Sequence, residues 1–165
     1  MKAPICGICL NSDMLCMACK KKLDEGDISE LDVKASRIVH EAAKRFRQLE
    51  NITIKKVLEG TNVMVMLCGS GDRSKIIGKE GVIINRLSKT IGKNVRVVEE
   101  TPDFRKFVEN LIYPVPLLGM NVVYSTEGEM LKVIISKNKN LTLPEASFRE
   151  VIRLVFGKNA AISRT

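Results

Sequence analysis

Aromatic side chains are scarce in this chain. It has no Trp, two Tyr and five Phe in 165 residues. Folds that hold single-stranded nucleic acid chiefly by stacking bases on aromatic platforms are disfavoured by that shortage. His40 is the single histidine. It lies beside an apolar helical stripe and reads as a surface or boundary residue, neither general base nor metal ligand. No carboxylate cluster or Walker loop accompanies it, so nuclease or hydrolase chemistry lacks its parts and no enzymatic activity is expected. Asp24, Glu25 and Asp27 read as linker and helix cap. No apolar run approaches the ~20 residues that span a bilayer. The N-terminus shows no apolar stretch of the kind a secretory signal carries. The expectation is a cytoplasmic protein with no membrane partner.

Positive charge is abundant by contrast. Lys and Arg number 27 against 19 Asp and Glu, for a formal net charge of +8 and a pI near 9.4. A surplus of that size favours a polyanionic partner, nucleic acid first. With 45% hydrophobic residues the chain can bury a core, and its length suits one or two small domains.

The charge and the apolar pattern converge on residues 73–86. The stretch reads Arg73-Ser74-Lys75-Ile76-Ile77-Gly78-Lys79-Glu80-Gly81-Val82-Ile83-Ile84-Asn85-Arg86. Two glycines bracket two charged residues, and aliphatic residues flank the bracket on both sides. The pattern predicts a short helix, a tight loop and a longer helix beginning at Gly81. Glycine lets the chain reverse and lets its backbone approach a ligand. The N–H groups and positive dipole end of the second helix would face the loop, a setting suited to phosphate. A bare G-x-x-G also occurs in helix connections that bind nothing. Here Ile76, Ile77, Val82, Ile83, Leu87 and Ile91 give each helix an apolar face, and Arg73, Lys75, Lys79, Arg86, Lys89 and Lys93 fall on the other side. In that setting the motif resembles the K-homology (KH) domain, whose G-x-x-G loop clamps four single-stranded nucleotides. The resemblance implies that Gly78 to Gly81 hold phosphates through backbone N–H groups. Ile76, Ile77, Val82 and Ile83 would line or support an apolar groove, and Arg73, Lys75 and Arg86 would extend a phosphate track.

Residues 1–22 hold four of the five cysteines, as Cys6-x-x-Cys9, six intervening residues, then Cys16-x-x-Cys19. Two such knuckles can present four thiolates to one structural zinc ion. Gly7 is expected at a tight turn in the first knuckle, and so short a segment would take most of its folding free energy from the metal. Disulfides and a thiol redox pair are the alternatives. Nothing suggests secretion, and no βαβ pattern surrounds the cysteines. Lys20-Lys21-Lys22 follows, as a phosphate contact or a solvated linker.

Further along, Asp27 with Glu30 is expected to cap a helix of about five turns, carried by the apolar rhythm from Leu31 to Leu49. Ile52 to Leu58 and Val63 to Cys68 read as strands, turning at Gly60-Thr61-Asn62. The second is apolar on both faces and so should be covered on both. Cys68 reads as a small buried hydrophobe. Gly92 caps the helix after the loop, and Val95 to Val98 is a third strand. After Glu100, Thr101 and Pro102 are expected to start a helix ending near Tyr113. Strands at Met120–Ser125 and Met130–Ser136, a helix around Phe148 to Val155 with Gly157 as its cap, and a short strand at Ala160–Ser163 follow.

The second half repeats the first. Ile84-Asn85-Arg86-Leu87 before Gly92 parallels Val151-Ile152-Arg153-Leu154 before Gly157. Lys137 to Leu143 replaces the first loop helix, and no G-x-x-G is present. The chain is therefore read as α+β: a four-cysteine zinc module (1–22), a type II KH domain (27–100) and a degenerate second KH domain (101–165). Each KH unit is expected as a three-stranded sheet with helices on one face. The second unit either extends the RNA surface through Lys137, Lys139, Arg149, Arg153 and Lys158, which is favoured here, or serves only as a packing partner.

Such a tandem resembles the archaeal NusA-like proteins, on the strength of Ile76-Ile77-Gly78-Lys79-Glu80-Gly81 and the repeated element order. The resemblance implies single-stranded RNA binding tied to transcription elongation or termination, with RNA polymerase as a partner. A ribosome-associated or ribosome-maturation role is the alternative. A thiol oxidoreductase using Cys6 with Cys9, or Cys16 with Cys19, is the remaining one.

Overall fold

A computed structural model describes all residues from Met1 to Thr165. The chain divides into two compact units. The first comprises Met1–Glu59 and Val63–Glu100, and the second Gly60–Asn62 and Thr101–Thr165.

The first unit begins with two short helices, α1 (Gly7–Leu10) and α2 (Met17–Asp24), each entered from a cysteine. Helix α3 (Glu30–Ala43) follows. Its cap is not the expected Asp27 with Glu30. Ser29 is the N-cap, and its side chain and that of Asp32 close a reciprocal capping box. Asp32 is 1% exposed, and its Oδ1 also accepts from the Val57 backbone N–H at 2.6 Å. A buried carboxylate needs such donors, and this one fastens the start of α3 to a strand. The helix is shorter than expected because it breaks after Ala43. The apolar rhythm continues through Phe46 and Leu49 in a separate 3-10 turn, Arg47–Asn51. Leu49 is fully buried there, so the spacing marks a continuing core contact, not a continuing helix.

Strands β1 (Ile54–Glu59), β2 (Val63–Cys68) and β3 (Asn94–Glu99) form one sheet in that order. β1 and β2 pair antiparallel across a tight turn. β3 runs parallel to β2, which requires a long crossover. Helices α4 (Arg73–Ile77) and α5 (Val82–Ile91) supply it, joined by the Gly78–Gly81 loop. Met64, Met66 and Cys68 of β2 pack with Ala35 and Val39 of α3, Ile76 of α4 and Ile83 and Leu87 of α5. The alternate residues Val63, Val65 and Leu67 are buried as well, as expected for a strand apolar on both faces. Lys2 adds a parallel bridge to Thr53 beside β1, so the N-terminal segment belongs to this unit and does not stand apart from it.

The second unit repeats the plan with one helix fewer. Helix α6 (Phe104–Ile112) is capped by Asp103, whose side chain accepts from the Arg105 and Lys106 N–H groups, and not by Thr101. Strands β4 (Gly119–Ser125) and β5 (Gly128–Ile135) form a hairpin. Helix α7 (Glu145–Phe156) then crosses over to β6 (Asn159–Arg164), parallel to β5. Gly92 and Gly157 end α5 and α7 in the same left-handed conformation, so the sequence repeat is also a structural one. Residues 136–144 cross without a helix. Phe104 and Phe107 meet Phe156 edge to face at 4.9 Å.

The architecture is thus α+β, with two three-stranded mixed sheets, their helices and a cluster of four cysteines. No helix is long and apolar enough to cross a membrane.

Candidate nucleic-acid loop and metal centre

The loop between α4 and α5 is built on unusual backbone. Gly78 has φ 77° and ψ 172°, Glu80 φ 55° and Gly81 φ 76°. Glu80 is the chain's one residue other than glycine with positive φ. A side chain held there costs roughly 1–3 kcal/mol and persists only where the surroundings impose it. Gly78 is fixed sterically as well. A Cβ there would lie 2.7 Å from Ile83 Cγ1, and Ile83 is buried. Gly81 has room, with nothing nearer than 3.6 Å to such a Cβ.

The loop's donors divide into spent and unspent. The Gly78 N–H donates to the Ser74 carbonyl and that of Gly81 to the Gly78 carbonyl. The Val82 N–H donates to Lys79. The N–H groups of Lys79 and Glu80 have no acceptor within the chain. This narrows the expectation that every N–H from Gly78 to Gly81 is available. Two are, both at the exposed tip beside the Lys79 side chain.

The flanking residues also sort themselves. Ile76 and Ile83 are core residues, 0% and 2% exposed, so they support the loop from beneath and do not line a groove. Val82 is 54% exposed and Ile77 half-buried, so these two present apolar surface beside the tip. Arg73 is half-buried, and its Nε donates to the Val97 carbonyl of β3 at 3.2 Å. It ties α4 to the sheet. Lys75 pairs with Asp72 at 3.3 Å. Arg86 is exposed on α5. Lys79 and Arg86 are therefore the cations most accessible near the loop. Asp72, overlooked in the sequence, holds the loop's entry in place. It is 7% exposed, and its Oδ2 accepts from the Thr53 N–H at 2.9 Å. It stands at the N-cap position of α4, but its side chain makes no cap bond and reaches the strand instead.

The four knuckle sulfurs come together, all within 4.8 Å of one another. Cys6 Sγ lies 3.5 Å from Cys9 Sγ and 3.9 Å from Cys16 Sγ. Metal–sulfur bonds of about 2.3 Å in a tetrahedron give sulfur–sulfur edges of about 3.8 Å. The set fits a metal ion. The two knuckles also exchange bonds reciprocally. The Cys6 N–H donates to Cys19 Sγ at 3.4 Å, and the Cys16 N–H to Cys9 Sγ at 3.1 Å. Such donors are the usual outer support of a thiolate site. Gly7 has ordinary backbone and open space around it, so no turn demands glycine there.

The thiols are strongly perturbed. The Cys9 backbone N–H, then its side chain, lowers Cys6 to about 6. The Cys19 N–H does the same for Cys16, which is lowered. Cys9 is pushed up to about 12: the Cys16 N–H lowers it, but burial and the neighbouring thiols outweigh that. Cys19 is raised in the same way against the Cys6 N–H. Two lowered and two raised thiols in one cluster mean that Cys6 and Cys16 ionise at the expense of Cys9 and Cys19, and a bound cation would take the place of the remaining protons. The fifth cysteine, Cys68, is pushed up to about 12 by burial, then by the charges of Glu99 and Asp72, and is inert core as expected.

The module is not self-contained. Ile5, Cys9, Leu10 and Cys19 share an apolar cluster with Ile28 and Val33, and Arg37 Nε donates to the Cys9 carbonyl at 3.1 Å. The sequence offered no sign of that link. Lys20, Lys21 and Lys22 lie within α2 and are exposed, so they belong to a helix and not to a linker. His40 adds a further link, its Nε2 lying 3.0 Å from Asn11 Oδ1 at the end of α1. In the second unit, Arg149 faces Glu145, Lys158 faces Glu129 and Arg153 bonds Asn159.

No family model matches the chain. A 72-residue stretch, 44% of the chain, is 28% identical to a protein of Methanocaldococcus jannaschii described as a probable transcription termination protein NusA. The match covers 39% of that relative's length. The crystal structure of APE1850 superposes with a TM-score of 0.58 at 22% identity, covering 77% of this chain and 96% of that one. At that identity the likeness concerns the fold alone.

Proposed function

We propose that the chain is a single-stranded RNA-binding protein of NusA-like type, built from two type II KH units and a structural zinc module. It works without enzymatic activity of its own. The observation that carries this reading is the Gly78–Gly81 loop. Its two unspent N–H groups and the Lys79 side chain lie at an exposed tip that leads into α5, a donor set suited to a phosphate. The element order around it and the net charge of +8 agree with that use. Val82 and Ile77 supply the apolar contact for a base, and Arg86 continues the phosphate track. Arg73, Lys75 and Asp72 hold the loop's frame. Backbone phosphates set affinity and register, and base edges set preference. Three basic residues of the second unit already face partners within it, so the strand belongs on the first unit.

Zinc is the metal that suits Cys6, Cys9, Cys16 and Cys19, because four thiolates in a closed tetrahedral set are a structural zinc arrangement. The name of the Methanocaldococcus jannaschii relative favours transcription, with RNA polymerase as the protein partner, over the ribosome.

The test is a salt titration of binding to single-stranded RNA oligonucleotides. A strand held by about four phosphates should give a log–log slope near −3, from about −0.7 per phosphate. Binding that ignores salt, or a preference for duplex RNA, would contradict the proposal.

A further inference from the structure

A second basic feature lies away from the loop tip. Helices α3 and α5 enclose a cleft of about 460 Å³. Its lining combines three apolar residues, Ile38, Ala42 and Leu87, with four cations, Arg37, Lys44, Arg45 and Arg86. One carboxylate, Glu41, also lines it and is bridged to Lys44 at 2.6 Å.

Helix electrostatics accounts for part of this. Lys44 and Arg45 follow the last turn of α3, where cations complement the helix dipole. It does not account for Arg37 and Arg86, which sit mid-helix. Arg37 spends Nε on the Cys9 carbonyl, while one terminal nitrogen is shielded from solvent with no partner. Apolar side chains and guanidinium groups lining one cleft are a setting in which a base can be covered while its phosphate is held.

Helix α5 joins this cleft to the loop. Arg86 is five residues past Gly81, about 7 Å along a helix rising 1.5 Å per residue. We propose that the α3–α5 cleft takes a further nucleotide of the same RNA strand, beyond those at the Gly78–Gly81 loop. This rests on the RNA-binding reading and adds to it the path of the strand. Arg45 holds the added phosphate, Arg86 bridges the two sites, and Ile38, Ala42 and Leu87 support the base.

The experiment compares four- and ten-nucleotide oligouridines by fluorescence anisotropy. The proteins are the full chain, Arg45→Glu, and Lys55→Glu as a control on exposed β1 surface, each checked for folding by circular dichroism. Arg45→Glu should weaken the ten-nucleotide strand by about tenfold and leave the four-nucleotide strand unchanged. Lys55→Glu should affect neither. A 4-thiouridine in the long strand should crosslink to the segment 34–45. Equal losses on both lengths would make the effect a general field and overturn the proposal. An unchanged ten-nucleotide affinity would also overturn it. The variant Lys79→Asp separates the two readings, since it should weaken both lengths. If it does so while Arg45→Glu does nothing, the cleft proposal alone fails. If the unaltered chain binds neither strand, the RNA reading fails and the cleft proposal with it.

Discussion

Replacing Gly78 by Ala should do far more harm than replacing Gly81, although the two glycines look equivalent in the motif. At Gly78 two costs add. Its φ of 77° with ψ of 172° lies in a region almost reserved for glycine, and holding alanine there costs roughly 1–3 kcal/mol. The new Cβ would also meet Ile83 Cγ1 at 2.7 Å, Cδ1 at 3.0 Å and Cβ at 3.1 Å. Ile83 is 2% exposed and is held within the α3–α4–α5 core, so it has little room to yield. Overpacking of that kind adds roughly 1–3 kcal/mol. The sum, about 2–6 kcal/mol, is a large share of the ~5–15 kcal/mol that holds a domain folded. At Gly81 only the left-handed backbone counts, with φ 76° and ψ 15° and no atom nearer than 3.6 Å, for about 1–2 kcal/mol. Urea unfolding of the two variants reads the difference directly. Gly78→Ala should shift the midpoint much further, with the slope unchanged. Equal shifts, or a larger one for Gly81→Ala, would refute the packing argument at Ile83.

With zinc held by the four cysteines as proposed, a chelator should unfold α1 and α2 and loosen the start of α3, seen as lost amide protection for residues 5–23 and at Val33, because the knuckles share their apolar cluster with α3. In the chelated protein four cysteines should react with a thiol reagent, while Cys68 waits for global unfolding, being buried with its pKa pushed up to about 12. Asp32→Ala should cost about 2–4 kcal/mol in denaturant titration, since it removes a helix cap and strands the buried Val57 N–H. Glu59 is held below its ordinary value by its bond to Lys93, then by that ammonium's charge. A depressed carboxylate adds stability above the unfolded value and loses it as pH falls through the folded one. Glu59→Gln should therefore be slightly less stable than the parent at pH 7, and the gap should close as pH falls below the ordinary glutamate range. The pair is exposed, so a large gap at pH 7 would contradict this account.

The strands and the loop helices were legible because their signals are local. β2 is a six-residue apolar run between turn residues, and its burial on both faces follows from the run itself. The left-handed caps at Gly92 and Gly157 were legible from glycine placement. The end of α3 was not. Phe46 and Leu49 keep helical spacing, yet the chain breaks after Ala43 and still delivers both to the core, so periodicity alone cannot locate the break. The cap is ambiguous in the sequence because Asp27 and Ser29 are both good caps. The choice fell to Asp32, whose second partner, the Val57 N–H, is 25 residues away. The candidate site divides in the same way. The four cysteines and the G-x-x-G bracket are spacing signals, whereas the roles of Arg73 and Lys75 depend on β3 and on Asp72. Charge pattern placed all of these cations on a solvated face. The fold turned Arg73 toward a carbonyl of β3 and left Lys79 and Arg86 outside.

The central claim is that RNA is held at the Gly78–Gly81 loop, and Lys79→Asp combined with Glu80→Asp tests it most directly. Asp tolerates the left-handed backbone at position 80, so the fold should survive while the tip loses its cation and gains negative charge. Single-stranded RNA affinity is measured for the parent and the double variant at two salt concentrations, with unfolding curves alongside. The account predicts a folded variant that has lost most of its binding and has a shallower salt slope. A folded variant with undiminished affinity would contradict it and move the site off this loop.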